Sequence, residues 1–200
     1  VPDVTTHKQH VDIHQKLLLR RQLLAMVKDK TGAIYVPFIG DGDIAAELYT
    51  GMSIYGADLD PARVATAAKR LPGAMVRVAD CNVWPFPDAR CEFVLGDFDA
   101  YSYPYDSFRA FWAQAAKGRR LALFFTDGQR QAVVRKHLWR EPSGEAVVEK
   151  DLARRRQALN FWWSRHVLPW FTEAVKPYRV IRESHYLRHW MLYWGAVIER

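Results

Sequence analysis

Cysteine is scarce: Cys81 and Cys91 are the only two in 200 residues. Two thiols make no disulfide framework, which argues against a small secreted scaffold and sets a reducing cytoplasm as the expectation. Long apolar runs are also missing. None approaches the roughly 18 residues a membrane helix needs, so no membrane partner is expected. The polar start Val1-Pro2-Asp3-Val4-Thr5-Thr6-His7 predicts no secretory signal. No internal repeat and no low-complexity tract interrupts the chain, so neither a repeat array nor a linker is expected.

What is present is apolar, aromatic and basic. Half the residues are hydrophobic, 14% are aromatic with eight Trp, and 26% are charged. A chain of this length and composition makes one domain with a full core. The formal net charge of +7 favours polyanionic partners, nucleic acid above all.

Residues 7–28 carry helical periodicity: Leu17, Leu18, Leu19, Leu23, Leu24, Met26 and Val27, with Lys16, Arg20, Arg21 and Lys28 between them. His7, His10 and His14 fall at i, i+3 and i+7. Without a carboxylate cluster beside them they read as solvated or substrate-facing, and no metal site is expected. The stretch Ile34-Tyr35-Val36-Pro37-Phe38-Ile39 then reads as a buried strand. It ends in the turn Gly40-Asp41-Gly42-Asp43, and a helix opens at Ile44. Strand, Gly-x-Gly and helix bring backbone N–H groups at a helix start close to a ligand.

Alternation continues. Strands are expected at Ser53–Asp58, Ala74–Ala79, Cys91–Gly96 and Arg120–Phe125. A helix follows Pro61, capped by Asp60, and another spans Ser107–Lys117. This is the pattern of a Rossmann-like α/β fold, a mostly parallel sheet with helices on both faces. Such sheets bind ligands at the carboxyl ends of their strands. Acids stand at every such end: Asp41 and Asp43, Asp58, Asp80, Asp97 and Asp99, Asp127. Beyond Gln129 the spacing predicts helices over Gln129–His137 and Asp151–Val175, separated by Pro142-Ser143-Gly144. Residues 129–176 thus form a helical insertion, basic and aromatic, before two antiparallel strands at Tyr178–Tyr186 and His189–Ile198.

From Ile34 to Gly128 the chain resembles class I methyltransferases that use S-adenosylmethionine. Three motifs carry the resemblance. Pro37-Phe38-x-Gly40-x-Gly42 is similar to the Pro-Phe-x-Gly-x-Gly turn of nucleic-acid amino-methyltransferases. Gly56-Ala57-Asp58-Leu59-Asp60-Pro61, with Val78-Ala79-Asp80 and Trp84-Pro85-Phe86 after it, is similar to the family's ribose and adenine segments. Asp97-Phe98-Asp99-Ala100-Tyr101-Ser102-Tyr103-Pro104 resembles the Asp-Leu-Asp-Pro-Tyr-Gly-Ser-Pro stretch of the enzymes that methylate the guanine exocyclic amine of transfer RNA. The resemblance implies a seven-stranded sheet whose last strand is antiparallel. It implies a cofactor cradle at Phe38, Gly40, Asp41, Gly42 and Asp43, with Asp58 and Leu59 at the ribose, Asp80 and Cys81 at the adenine, and Asp97 nearby. The family's acid just before the proline is replaced here by Val36, leaving Asp41 and Asp43 as the nearest acids.

The chemistry of such a site is specific. An exocyclic amine is a poor nucleophile because its lone pair is delocalised into the ring. A carboxylate accepting its N–H frees that pair, and an aromatic side chain stacks on the base. Asp99 is the first candidate for the amine, Asp97 the alternate, and Tyr101 the stacking residue. Tyr103 and Tyr105 follow as substrate residues. Arg154, Arg155 and Arg156 lie among tryptophans and suit phosphates, with most of the Trp expected in the core. Methylation of an amino nitrogen of a base in RNA or DNA is the expected function. A small-molecule or protein methyltransferase, or a degenerate nucleic-acid-binding relative, is the alternative.

Overall fold

The computed structural model describes residues 13–27, 31–188 and 190–200. The expected helix over 7–28 is seen from Ile13 to Leu24 (α1); residues 7–12, and with them His7 and His10, lie outside the described residues. The opening strand is Ala33–Pro37 (β1), buried along its whole length, and the helix after the glycine turn is Asp43–Leu48 (α2). There follow Ser53–Asp58 (β2), Pro61–Arg70 (α3), Met75–Val78 (β3), Phe93–Phe98 (β4), Tyr105–Gln114 (α4) and Lys117–Asp127 (β5). Asp60 caps α3 as expected, its carboxylate accepting from the Ala62 N–H at 2.9 Å.

The insertion departs from its expected form. The helix Gln129–Lys136 (α5) stops where His137 takes a left-handed φ of 54°. Leu138–Arg140 (β6) and Ala146–Val148 (β7) then form an antiparallel hairpin where only a break between two helices was expected. Trp139, Val147 and Val148 are strand formers, and Gly144 at φ 100° lets the chain reverse. The long helix expected over Asp151–Val175 is broken into Leu152–Asn160 (α6), a π-helical stretch Trp162–Val167, and Leu168–Ala174 (α7). Pro169 explains the break. It has no N–H to give to the preceding turn, and its ring crowds that turn's carbonyl. The chain closes with Arg179–Arg188 (β8) and Met191–Glu199 (β9).

Seven strands form one sheet in the order β3-β2-β1-β4-β5-β9-β8. β1 to β5 run parallel, and β9 is antiparallel to both β5 and β8. The order reverses between β1 and β4, and sheets of this kind bind ligands at the carboxyl ends beside such a reversal. One face is packed by α1, α2 and α3 through Leu19, Leu23, Ile34, Val36, Ile39 and Leu95. The other face is aromatic. Tyr35 stacks on Phe111 with centroids 5.4 Å apart, and Phe125 stacks on Trp194 at 4.0 Å. Trp84, Trp139, Trp162, Trp163 and Trp194 are all buried there, in line with a core role for most of the tryptophans.

Candidate active site at the carboxyl edge of the sheet

The glycine turn leaves β1 through three left-handed residues: Phe38 at φ 58°, Gly40 at 55° and Gly42 at 79°. A β-carbon on Gly40 would meet nothing within 4 Å, so the space before the turn is open. Gly42 faces inward instead, where a β-carbon would come 3.2 Å from Leu71. Phe38 carries a side chain in a conformation that costs one. Its backbone is held from behind: its N–H donates to Cys81 Sγ at 3.3 Å, and the same thiol reaches the Ala57 carbonyl at 3.3 Å. Cys81 is therefore a buried strut between the turn and β2. Burial, with Asp58 and Asp80 nearby, pushes its thiol up to about 12 against the opposing effect of the Phe38 N–H.

Asp58, at the end of β2, accepts from the Gly40 N–H at 3.0 Å through one oxygen and from the Asp60 N–H at 3.0 Å through the other. Each oxygen keeps a lone pair. Leu59 beside it is 67% exposed, an apolar surface against the open turn. Asp80 is exposed after β3, with one oxygen accepting from the Asn82 N–H at 2.9 Å. Asp58 and Asp80 have no ion pair among the described residues. Asp41 is exposed, and Asp43 is tied to Arg70. Val36 is buried in the apolar layer under α1. The β1–β4 register pairs Ile34 with Leu95 and Tyr35 with Gly96. Its next step sets Val36 beside Asp97, so the acid on this face stands one strand over.

The β4 carboxylates are engaged by α1. Arg20, 1% exposed, grips Asp97 with two bonds, Nε to Oδ2 at 2.8 Å and Nη2 to Oδ1 at 2.6 Å. The Tyr49 hydroxyl adds a third bond, to Oδ2 at 2.7 Å. Lys16 Nζ donates to both oxygens of Asp99, at 2.8 and 2.9 Å. Burial alone would raise the Asp99 carboxyl. The Lys16 ammonium and the Arg20 guanidinium overcome it and hold the group down to about 2. Lys16 also stands 5.3 Å from the centroid of Tyr193, which stacks on Tyr186. Sequence reading placed Lys16 and Arg20 merely between the leucines. Their signal was the phase of the stripe: 16, 20, 23 and 27 recur at helical spacing and share the buried face. Tyr49, Tyr186 and Tyr193 carried no comparable local signal.

The remaining candidates divide. Tyr101 is 75% exposed beside Asp99, where a planar substrate can reach it. Tyr105 is fully buried, its hydroxyl donating to Asp127 at 2.6 Å, so it is a core residue and not a substrate residue. Tyr103 is buried as well; its hydroxyl donates to the Glu141 carbonyl at 2.7 Å and its ring lies under Arg140. The hairpin covers Tyr103 through Glu141 and Arg140, and Tyr105 packs under Trp170 with Trp162 sharing its Asp127 partner. Arg154 and Arg156 are exposed, whereas Arg155 is buried and donates to the Val134 carbonyl at 3.3 Å, joining α6 to α5. Arg155 is thus withdrawn from any phosphate-facing surface. Among the described residues no group of His, Cys, Asp and Glu is arranged to hold a metal, and no helix is long and apolar enough to cross a membrane.

The strand order, the single antiparallel strand and the open glycine turn define the class I methyltransferase fold. Solved structures agree. The [4+2]-cyclase SpnF superposes with a TM-score of 0.56 at 13% identity, over 94% of this chain and 80% of its own. Magnesium protoporphyrin IX methyltransferase (ChlM) from Synechocystis PCC 6803, with bound SAH, superposes at 0.56 and 12% identity, over 100% of this chain and 89% of its own. TrmN from Thermus thermophilus superposes at 0.52 and 18% identity over 94% of this chain, which spans 52% of TrmN's length. No protein-family model matches the sequence, and no curated protein matches it.

Proposed function

We propose that this chain is an S-adenosylmethionine-dependent methyltransferase acting on an exocyclic amino nitrogen of a base in RNA or DNA. The observation that carries the donor half is the open space before Gly40, flanked by Asp58 and Asp80, two carboxylates that keep accepting capacity and have no counter-charge among the described residues. These residues fit the donor: Asp58 would take the ribose hydroxyls and Asp80 the adenine amine. Bound there, the donor would supply an electrophilic methyl group on a sulfonium.

The chain's own residues prepare the acceptor. Asp99 stays ionised throughout the physiological range, so it accepts an N–H from the amine. Tyr101 offers a ring for the base to lie against, and binding in line with the methyl supplies the rate. The basic excess and the exposed Arg154 and Arg156 support a polyanionic substrate, and a small-molecule acceptor is the alternative on the same fold.

One observation favours a second reading. Both Asp99 oxygens lie within 2.9 Å of Lys16 Nζ, which suits a chain that keeps the fold and binds nucleic acid without transfer. The same fold also serves the [4+2]-cyclase SpnF. Calorimetric titration with the donor separates the readings, and no binding at millimolar donor rejects the enzyme. With binding shown, mass spectrometry of nucleosides from treated RNA and DNA pools identifies the product. Asp99→Ala is expected to abolish transfer while donor affinity stays within about twofold; retained activity would remove Asp99 from the mechanism.

A further inference from the structure

Arg130 stands on the first turn of α5 and is 8% exposed. Its Nε and Nη1 are enclosed and have no hydrogen-bond partner. The acid close enough to influence it is Asp127, but no hydrogen bond joins the two, and that carboxylate is held by other donors. Its Oδ2 accepts from the Tyr105 hydroxyl at 2.6 Å and from Trp162 Nε1 at 2.8 Å, and its Oδ1 from the Gln129 N–H at 2.7 Å. Arg20, by contrast, holds Asp97 with two nitrogens, and Arg155, whose Nε is also unpartnered, ties α6 to the Val134 carbonyl through Nη1. Burying an unpaired guanidinium is costly, and an orphaned buried donor points to a missing partner.

The chain just before Arg130 adjoins the candidate site. The Gly128 N–H donates to the Ser102 carbonyl at 3.0 Å, and a β-carbon on Gly128 would come within 2.6 Å of the Tyr101 carbonyl. The corner leading into Arg130 is therefore pressed against the loop that carries Asp99 and Tyr101. We propose that Arg130 binds an oxyanion of the acceptor substrate, a phosphate or a carboxylate, through the fork of its guanidinium. The assignment of that anion to the acceptor rests on the transferase reading above; the anion site itself does not.

The test uses the full chain, with inorganic phosphate and acetate as probes in separate calorimetric titrations. Wild type is expected to bind at least one of them, and Arg130→Met to weaken that binding at least tenfold, with Arg130→Lys between. Without ligand, Arg130→Met is expected to melt at or above the wild-type temperature, because an unpaired buried charge has gone. Phosphate preferred over acetate assigns a phosphate-bearing substrate, and the reverse a carboxylate. The proposal falls if wild type binds neither probe, if Arg130→Met binds as wild type does, or if Arg130→Met melts lower or fails to fold, which would make the residue structural. Donor titration on the same proteins keeps the two readings apart: loss of donor binding in wild type strikes the transferase reading and leaves the anion result standing.

Discussion

Arg20→Met is the sharpest perturbation of this site. Arg20 and Asp97 are each 1% exposed, joined by two bonds at 2.8 and 2.6 Å. Removing the cation leaves a carboxylate in the interior with only the Tyr49 hydroxyl against it. Breaking a buried pair from one side costs roughly 3–5 kcal/mol, most of it the charge left behind. With a urea dependence of about 1–3 kcal/mol per molar, a loss of about 4 kcal/mol lowers the unfolding midpoint by more than about 1 M. The assay is equilibrium urea unfolding at pH 7, followed by tryptophan fluorescence and by far-UV circular dichroism. Two further measurements separate charge from volume. Adding Asp97→Asn to Arg20→Met is expected to recover much of the loss, because the uncompensated charge is gone. Arg20→Lys, which keeps a cation near Asp97, is expected to lose less stability than Arg20→Met. A loss below about 1 kcal/mol, or a double variant as damaged as the single one, would refute the view that this pair clamps α1 to the sheet.

Other expectations follow from the same geometry. Asp99 is held down to about 2 in the fold, against about 3.9 unfolded. It therefore contributes about 2–3 kcal/mol above pH 4 that is lost as pH falls toward 2; Asp99→Asn should remove that part of the pH dependence, and an unchanged acid limb would count against it. Tyr105→Phe should cost about 1–3 kcal/mol through the bond lost at Asp127 and leave donor and substrate affinity alone; weaker substrate binding at unchanged stability would return Tyr105 to the site. Cys81, buried and with its thiol pushed up to about 12, should resist iodoacetamide at pH 8 while half-buried Cys91 reacts. Peptide mapping decides this, and equal labelling would contradict the strut between Phe38 and Ala57.

The parallel half of the sheet was legible because each strand announces itself. Ile34 to Phe38 is an apolar run stopped by Gly40, Asp60-Pro61 caps a helix, and the acids mark the strand ends. The positions of Phe38, Gly40, Asp58 and Asp80 in a turn and at strand ends were equally legible, since a turn and a strand end are local features. Tyr105 and Arg155 were misplaced because burial of a polar or aromatic residue is decided by what folds over it. Here that is the π-helical stretch with α7 in one case and α5 in the other. The hairpin at Leu138–Val148 was hidden by its length, three residues a side, too short for a period to show. Lys16 and Arg20 were misread for a different reason: lysine and arginine are so seldom buried that their place on the apolar stripe was discounted.

The clamp between α1 and β4 also has a consequence for the order of assembly. Arg20 and Asp97 are 77 positions apart, and Lys16 and Asp99 are 83. During synthesis the basic helix emerges long before either acid exists, and closing so long a loop is slow. Until β4 has docked between β1 and β5, the two cations have no acid to hold and remain in water. Helix α1 is thus expected to be made before β4 and seated after it, completing the carboxyl edge only once the sheet beneath it is in place.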